Sequence, residues 1–165
     1  MKKRLLPLLT LPIFLIGCTS QKSYVLNEST FFLVMTNIQY YPEEYANKDL
    51  TFDSFTYELT DTSGEEYLCV VRKCASGFGC KCGKDTIIGF VVDKELGLPA
   101  PKNQYEDTND KSWVHITGTI ESTNKTEIEI FGVDDTKEKV QFLSLKIKDF
   151  SIIEDYSKLH YYVDK

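Results

Sequence analysis

The sequence predicts an all-β domain that follows one short helix, and three observations support this fold class. Apolar and polar residues alternate in several segments, most clearly at residues 113–120, and this period of two is typical of a half-buried strand. Runs rich in β-branched residues at 67–72 and 86–92 predict two further strands. Residues 94–111 hold two prolines, two asparagines and several acidic residues, which predicts a long irregular connection.

Helices are predicted only near the start of the domain. Apolar residues between 31 and 38 recur with helical spacing, and Asn27 or Ser29 can cap a helix that begins near residue 29. A second short helix is predicted at Pro42, because proline suits the first helical position and the acidic residues 43–44 suit the first turn.

The predicted strands suit a small closed barrel. In chain order they are residues 50–57, 67–72, 86–92, 113–120, 126–131 and 140–153. A barrel of about five long strands leaves no exposed sheet edge. The first and fourth strands each hold a small residue within their apolar alternation, as the bent strands of oligonucleotide/oligosaccharide-binding (OB) barrels do. The prediction is an OB-like five-stranded small barrel over residues 29–165, with a small β-sandwich as the alternative.

The first eighteen residues predict export and lipid attachment. Basic residues 2–4 precede a short apolar stretch at 5–16, which ends at Gly17 and Cys18. This is the pattern of a secretory signal peptide with a bacterial lipobox. The apolar stretch contains two prolines and is too short for a membrane span. We therefore expect residues 1–17 to be a cleaved signal peptide, acyl chains such as palmitate on Cys18, and a tether over residues 18–28.

Charge and export together restrict the function. The chain has a net charge of −6, and cleavage removes three positive and no negative charges, which leaves −9 over 148 residues. Nucleic-acid binding needs a basic face, so we expect no nucleic-acid partner. The expected location is the bacterial cell envelope, on the outer face of the cytoplasmic membrane or on the outer membrane.

The remaining four cysteines, Cys69, Cys74, Cys80 and Cys82, lie within fourteen residues. The first hypothesis is that they form disulfides, because exported proteins meet oxidising conditions and four cysteines allow three pairings. A bridge from Cys74 to Cys80 or Cys82 would close a short loop and stabilise the fold by roughly 2–3 kcal/mol. The protein would then be a structural or adhesive surface lipoprotein.

The second hypothesis is a soft-metal site. Cys74, Cys80 and Cys82, with Asp85 or Cys69, supply the four ligands that zinc or another soft metal ion takes. Glycines on both sides of this segment would let the backbone wrap an ion, although the spacing is not that of a zinc ribbon. The chain would then be a non-catalytic binding or accessory module.

The third hypothesis is thiol-redox chemistry at Cys80 and Cys82, since the neighbouring lysines would lower a thiol pKa and a C-x-C disulfide is strained. No βαβ pattern surrounds the pair, and no Ser-His-Asp order or phosphate-binding glycine loop is present in the sequence. We therefore expect no enzyme activity and assign no catalytic residue.

His115, beside Trp113, is interpreted as part of a surface patch, and the aromatic C-terminal residues as a cap on the barrel.

Six blocks of the sequence follow the order of a known bacterial family. They are residues 45–50 (YANKDL), 67–72 (YLCVVR), 80–85 (CKCGKD), 89–92 (GFVV), 113–120 (WVHITGTI) and 161–163 (YYV). Over residues 28–164 the chain thus resembles the extracytoplasmic C-terminal domain of an uncharacterised membrane-protein family that is encoded beside a permease-like protein. The resemblance implies an extracytoplasmic location, a barrel-like fold and a permease or metal-handling context.

The chain departs from the family pattern in the cysteine segment. Lys81 separates two cysteines that are adjacent in the family, Cys74 belongs to an inserted loop, and a lipid anchor replaces the transmembrane half. If Cys80, Cys82 and Asp85 inherit a family site, the additional Cys74 favours a metal over a purely structural bridge. The leading expectation is a lipid-anchored binding module that takes a soft metal ion in support of a transporter.

Overall fold

The structure, a computed structural model, describes residues 23–74, 80–82, 85–132 and 135–163, and for Cys80–Cys82 and Asp85 it describes the backbone alone. The predicted signal peptide and Cys18 lie outside the described residues. The elements are β1 (Ser23–Val25), α1 (Phe31–Tyr40), α2 (Pro42–Tyr45), β2 (Asp49–Thr60), β3 (Glu66–Cys74), β4 (Cys80–Cys82), β5 (Asp85–Val91), a 3₁₀ turn (Lys94–Leu96), β6 (Trp113–Phe131), β7 (Lys137–Ile152) and β8 (Tyr162–Val163).

Five strands close into a barrel. β2 pairs antiparallel with β3 and with β6, β6 pairs with β7, and β5 pairs with β3. A parallel pairing of β5 with β7 completes the ring. β2 reaches both of its neighbours because residues 49–55 pair with β6 and residues 55–60 pair with β3. The predicted all-β small barrel is therefore confirmed.

One apolar cluster fills the barrel, and we call it the inner cluster. All five barrel strands contribute to it, for example through Phe52, Val70, Phe90, Ile116 and Leu145. α1 adds the buried side chains of Phe31, Met35 and Ile38. The helix therefore closes the barrel with the face that its helical spacing predicts.

A second apolar cluster, the outer cluster, lies on the opposite faces of the same strands. Beyond the barrel, β6 and β7 continue as a hairpin in which residues 125–131 pair with residues 137–143. Ile128, Ile130, Val140 and Phe142 of this hairpin are buried together with residues of β2, β3 and β5. OB barrels bind their ligands on the outer face of the second and third strands. In this chain that face, at β3 and β5, is covered by the chain's own hairpin.

Two glycines allow close approach between strands. A Cβ on Gly89 would lie 2.0 Å from the carbonyl oxygen of Val70, and one on Gly118 would lie 2.8 Å from the Leu145 side chain. Gly118 also sits at a register irregularity in the pairing of β6 with β7. Only a residue without a side chain fits such positions in a strand.

The structure differs from the sequence-based expectation in several places. Cys74, expected in an inserted loop, is the last residue of β3, and residues 80–82, outside every predicted strand, form β4. Residues 23–25, expected as tether, form β1 alongside β2, and Leu26 is buried in the inner cluster. The two strands expected at 113–120 and 126–131 are one continuous strand, because residues 121–124 are accommodated as an irregularity in the pairing with β7. Among the described residues, no helix has the length and apolar character needed to cross a bilayer.

Candidate functional site

Three adjacent strands bring the predicted metal ligands to one end of the barrel. β5 pairs with β3 along one edge and with β4 along the other. Cys74, the last residue of β3, is opposite Thr86, while Cys82 is opposite Asp85 and Cys80 is opposite Ile87. Since neighbouring strands lie about 4.8 Å apart, these four backbone positions fall within roughly 10 Å of one another across the sheet.

The register divides these four positions into two sets. Successive residues of a strand alternate between its faces, so paired rows alternate as well. Cys80 and Cys82 pair with the odd-numbered residues Ile87 and Asp85 of β5, so Cys80, Cys82 and Asp85 occupy register positions of one parity. Cys74 pairs with the even-numbered Thr86 and occupies a position of the other parity. Cys74 is fully buried in the inner cluster. The side chains of Cys80, Cys82 and Asp85 lie outside the described part of the chain, so the choice among disulfide, metal and redox chemistry stays a prediction.

Cys69 has a different environment from the cysteine loop. Its thiol is free and fully buried in the outer cluster, where it lies 3.8 Å from the carbonyl oxygen of Tyr67. Burial raises the pKa of the Cys69 thiol to about 12. A thiol with such a pKa is not a reactive thiolate at neutral pH. Among the described side chains, no group of three or more His, Cys, Asp or Glu residues is placed to hold a metal ion.

A buried arginine links the two ends of the chain to the barrel. The guanidinium of Arg72 on β3 lies 2.5 Å from the Glu28 carboxylate and donates to the carbonyl oxygens of Asp53 at 3.1 Å and of His160 at 2.9 Å. Burial lowers the pKa of Arg72, and the Glu28 carboxylate acts in the opposite direction. Because its charge is paired and its Nε and Nη1 groups both donate to the chain, Arg72 is a structural link between residues 28 and 160.

Two lysines are also buried near the same end of the barrel. Lys73 forms an ion pair with Asp107 at 3.2 Å, and Lys111 donates to the carbonyl oxygens of Asn103 and of Glu106. Both ammonium groups lie over the Tyr161 ring, at 5.7 Å for Lys73 and 5.5 Å for Lys111. Desolvation, followed by repulsion from Lys73, lowers the pKa of Lys111 to about 8. Residues 98–111 form the connection between the 3₁₀ turn and β6, which we call the 98–111 connection. The two lysines hold this connection and the C-terminal segment around Tyr161 against the barrel.

A cleft of about 560 Å³ opens beside this group. Glu28 and His160, which both bind Arg72, contribute to its lining, as do Asn109 and Tyr161. The cations near the cleft are paired with carboxylates and carbonyl groups of the chain itself. The cleft is therefore a seam between the two terminal segments, and its geometry does not single out a ligand.

The C-terminal aromatic residues pack on the barrel, as the sequence predicts. Tyr156, Leu159 and Tyr161 are partly buried against the outer cluster, and Val163 is buried in the inner cluster. His115 lies on the outward side of β6, where its Nδ1 is 2.6 Å from Asp53 Oδ1 and its side chain is half exposed. This placement agrees with a surface pair.

The comparisons with known proteins found one family. A model described as the DUF1980 C-terminal domain matches residues 16–141 of the 165-residue chain, which is well over half of it. No curated protein and no solved structure matches the chain.

Proposed function

The chain belongs to the DUF1980 C-terminal domain family, and from this premise and the register of the cysteine strands we propose that it is a lipid-anchored, non-catalytic binding module of the bacterial cell envelope that takes up a soft metal ion in support of a transporter. The anchor is Cys18 and the metal site is the segment from Cys74 to Asp85.

The observation that carries the metal proposal is the pairing of β4 with β5. This pairing aligns Cys82 with Asp85 and places Cys80 two residues along the same strand, with β5 between β4 and the end of β3 at Cys74. Two thiolates and a carboxylate within a few residues are donors that zinc accepts, and a fourth ligand completes a tetrahedral site. Cys80, Cys82 and Asp85 share one register parity, so they form the principal set. Cys74 belongs to the other set and is buried in the inner cluster, so an external group supplies the fourth position.

Two further features support this proposal. The lipobox at residues 15–18 and the basic residues 2–4 favour anchoring at Cys18. The outer face of β3 and β5, where OB barrels bind oligomeric ligands, is covered by the β6–β7 hairpin. The cysteine segment then stands out as the part of the barrel that carries ligand chemistry.

Metal analysis and thiol counting on the lipidated protein, purified without reductant, test the metal site. We expect one zinc ion per chain and thiols that react once the metal is chelated. Cys80→Ser and Cys82→Ser should each lose the zinc. Cys69→Ser is the matched control and should keep it, because Cys69 is buried apart from the loop with its thiol free.

The same experiment separates the alternatives. Absence of metal with cysteines that react only after reduction would support the structural lipoprotein with a disulfide-stapled loop. A single labile disulfide between Cys80 and Cys82, with an acid-shifted thiol, would support the redox protein. For the anchor, radiolabelled palmitate should be incorporated into the wild-type chain and not into Cys18→Ala. A permease-like protein should be captured by crosslinking the lipidated chain in cells, and its absence would contradict the transporter role.

A further inference from the structure

The outward face of α1 is uncharged, and its most exposed side chains are large and apolar, which is unusual for a helix on a protein surface. The ten residues of α1 include no Asp, Glu, Lys or Arg. Leu33 is 63 % exposed, Tyr40 is 58 % exposed, and Tyr41, which follows the helix, is 53 % exposed. Leu33 and Tyr40 are seven residues apart and so lie on one side of the helix, with the polar, partly buried Asn37 between them.

The opposite side of α1 is already used by the fold. Phe31, Met35 and Ile38 are fully buried in the inner cluster. A helix that carries exposed large apolar side chains opposite its buried side is expected to have a partner on the exposed side as well. Leu33, Tyr40 and Tyr41 are each more than half exposed.

Exposed apolar side chains are concentrated at the N-terminal end of the described chain. Seven large hydrophobic side chains are exposed among the described residues, and four of them lie between Val25 and Tyr41. The other three belong to separate regions, namely the 98–111 connection, the hairpin and the end of β7. Three of the four, Leu33, Tyr40 and Tyr41, belong to α1 or follow it directly, and neighbouring exposed apolar side chains mark an interaction surface, whereas scattered ones do not.

The short length of chain between Cys18 and β1 limits how far the barrel can lie from a lipid anchor. Only four residues separate Cys18 from Ser23, where pairing with β2 fixes the chain to the barrel. Five residue steps span about 18 Å at full extension. If Cys18 is lipidated, as proposed above, the N-terminal edge of the barrel cannot move farther than this from the lipid surface, and α1 begins six residues after β1.

We infer that the outward face of α1, formed by Leu33, Tyr40 and Tyr41, lies against the lipid surface and sets the orientation of the barrel on the membrane. Tyrosine suits this position because its ring is apolar and its hydroxyl can remain hydrated. Contact is apolar and not electrostatic, since the face carries no cation and is followed by the exposed Glu43 and Glu44. The orientation would direct the opposite parts of the barrel away from the membrane.

The test uses the lipidated protein in phosphatidylcholine vesicles with or without brominated acyl chains. Two variants place a reporter tryptophan: Leu33→Trp on the proposed contact face and Tyr105→Trp on an exposed site of the 98–111 connection as control. The wild-type signal of the buried Trp113 is subtracted. An interfacial contact places apolar side chains roughly 5–10 Å into the headgroup and acyl boundary, so we expect fractional quenching at least about twofold greater for Leu33→Trp than for Tyr105→Trp.

The outcomes separate this inference from the proposed function. Failure of the protein to float with the vesicles contradicts the anchor. Flotation with equal quenching in both variants overturns the contact of α1, and it would then point to a second copy or a protein partner on this face. Replacing half of the lipid by anionic phosphatidylglycerol should not increase the quenching of Leu33→Trp. An increase that is abolished by salt would overturn the apolar mode of contact.

Discussion

The guanidinium carbon of Arg72 lies 4.9 Å from the ring centroid of Trp113, and at the same distance from the ring of Phe31. Phe31 belongs to the inner cluster and Trp113 to the outer cluster. Arg72 therefore connects two apolar clusters that lie on opposite faces of the same strands, in addition to binding Glu28 and the carbonyl group of His160.

Replacing Arg72 by methionine should destabilise the domain strongly. The variant leaves the carbonyl oxygens of Asp53 and His160 without their donor and removes the partner of Glu28. Each buried acceptor left without its donor costs about 1–3 kcal/mol, whereas the Glu28 carboxylate, whose side chain is 36 % exposed, can be hydrated. Urea unfolding, followed by the fluorescence of the single tryptophan, measures this loss.

Two comparisons make the Arg72 prediction specific. Arg72→Lys should recover only part of the stability, because an ammonium group cannot reproduce the planar contacts with two rings and three acceptors. Lys139→Met removes the exposed pair with Glu127 and should leave the unfolding midpoint almost unchanged. Equal effects of Arg72→Met and Lys139→Met would contradict the role of Arg72.

Most of the barrel could be predicted from the sequence because its strands carry the alternation in their own residues. The inward positions of β6 at Val114, Ile116 and Ile120 are fully buried, as the alternation predicts. The role of residues 23–26 was not predictable from local pattern, since three residues of β1 pair with residues far along the chain. Parallel pairing of this kind depends on tertiary contacts and leaves a weak periodic signal.

Lys111 should make stability rise between pH 8 and pH 10.5. Its pKa is about 8 in the folded protein and its ordinary value is 10.5. Between these values the unfolded chain binds more protons than the folded chain, so the free energy of unfolding increases with pH. Lys111→Met removes this contribution.

The measurement for Lys111 is the difference between wild type and Lys111→Met across a pH series. From pH 8 upward, the free energy of unfolding of wild type minus that of the variant should increase. Below about pH 7 this difference should be constant. Subtraction removes the opposing effect of tyrosines such as Tyr156, whose pKa is raised by its hydrogen bond to Asp110. A difference that does not change with pH would show that Lys111 titrates normally.

Gly89→Ala should be more destabilising than Gly118→Ala. At Gly89 the added methyl group would meet the backbone oxygen of Val70 at 2.0 Å and the Val71 Cα at 2.8 Å, and a barrel strand cannot move aside easily. At Gly118 two of the three close atoms belong to the flexible Leu145 side chain. Overpacking costs typically about 1–3 kcal/mol, and we expect Gly89→Ala to exceed this range while Gly118→Ala falls within it. Thermal unfolding of both variants checks the order.

The buried cations were harder to predict from sequence than the strands. Lys73 follows Arg72 in a strand that is buried on both faces, so both cations are enclosed although their side chains alternate. Their partners Glu28, Asp107 and the carbonyl group of His160 are distant in sequence. The two adjacent cations within an apolar run were the available signal. Their pairing required the positions of the connection and of the C-terminal segment.

Thr56→Val should stabilise the protein. Thr56 is fully buried on β2, and within the described part of the chain its hydroxyl has no hydrogen-bond partner. A buried polar atom without a partner carries a desolvation cost of about 1–3 kcal/mol, and valine keeps the shape of threonine without that atom. We expect a gain of roughly 1 kcal/mol in the free energy of unfolding.

Thr51 on the same strand provides the matched control for Thr56. Its hydroxyl lies 3.0 Å from the hydroxyl of Thr117 across the pairing with β6. Thr51→Val breaks this hydrogen bond and should lower the stability by roughly 1 kcal/mol. The two substitutions are chemically identical, so a difference between them reports on the environment of each hydroxyl group. Their effects should have opposite signs, because the Thr51 hydroxyl has a hydrogen-bond partner and the Thr56 hydroxyl has none among the described residues. Destabilisation by Thr56→Val would show that its hydroxyl makes a hydrogen bond in solution, and the prediction would then be wrong.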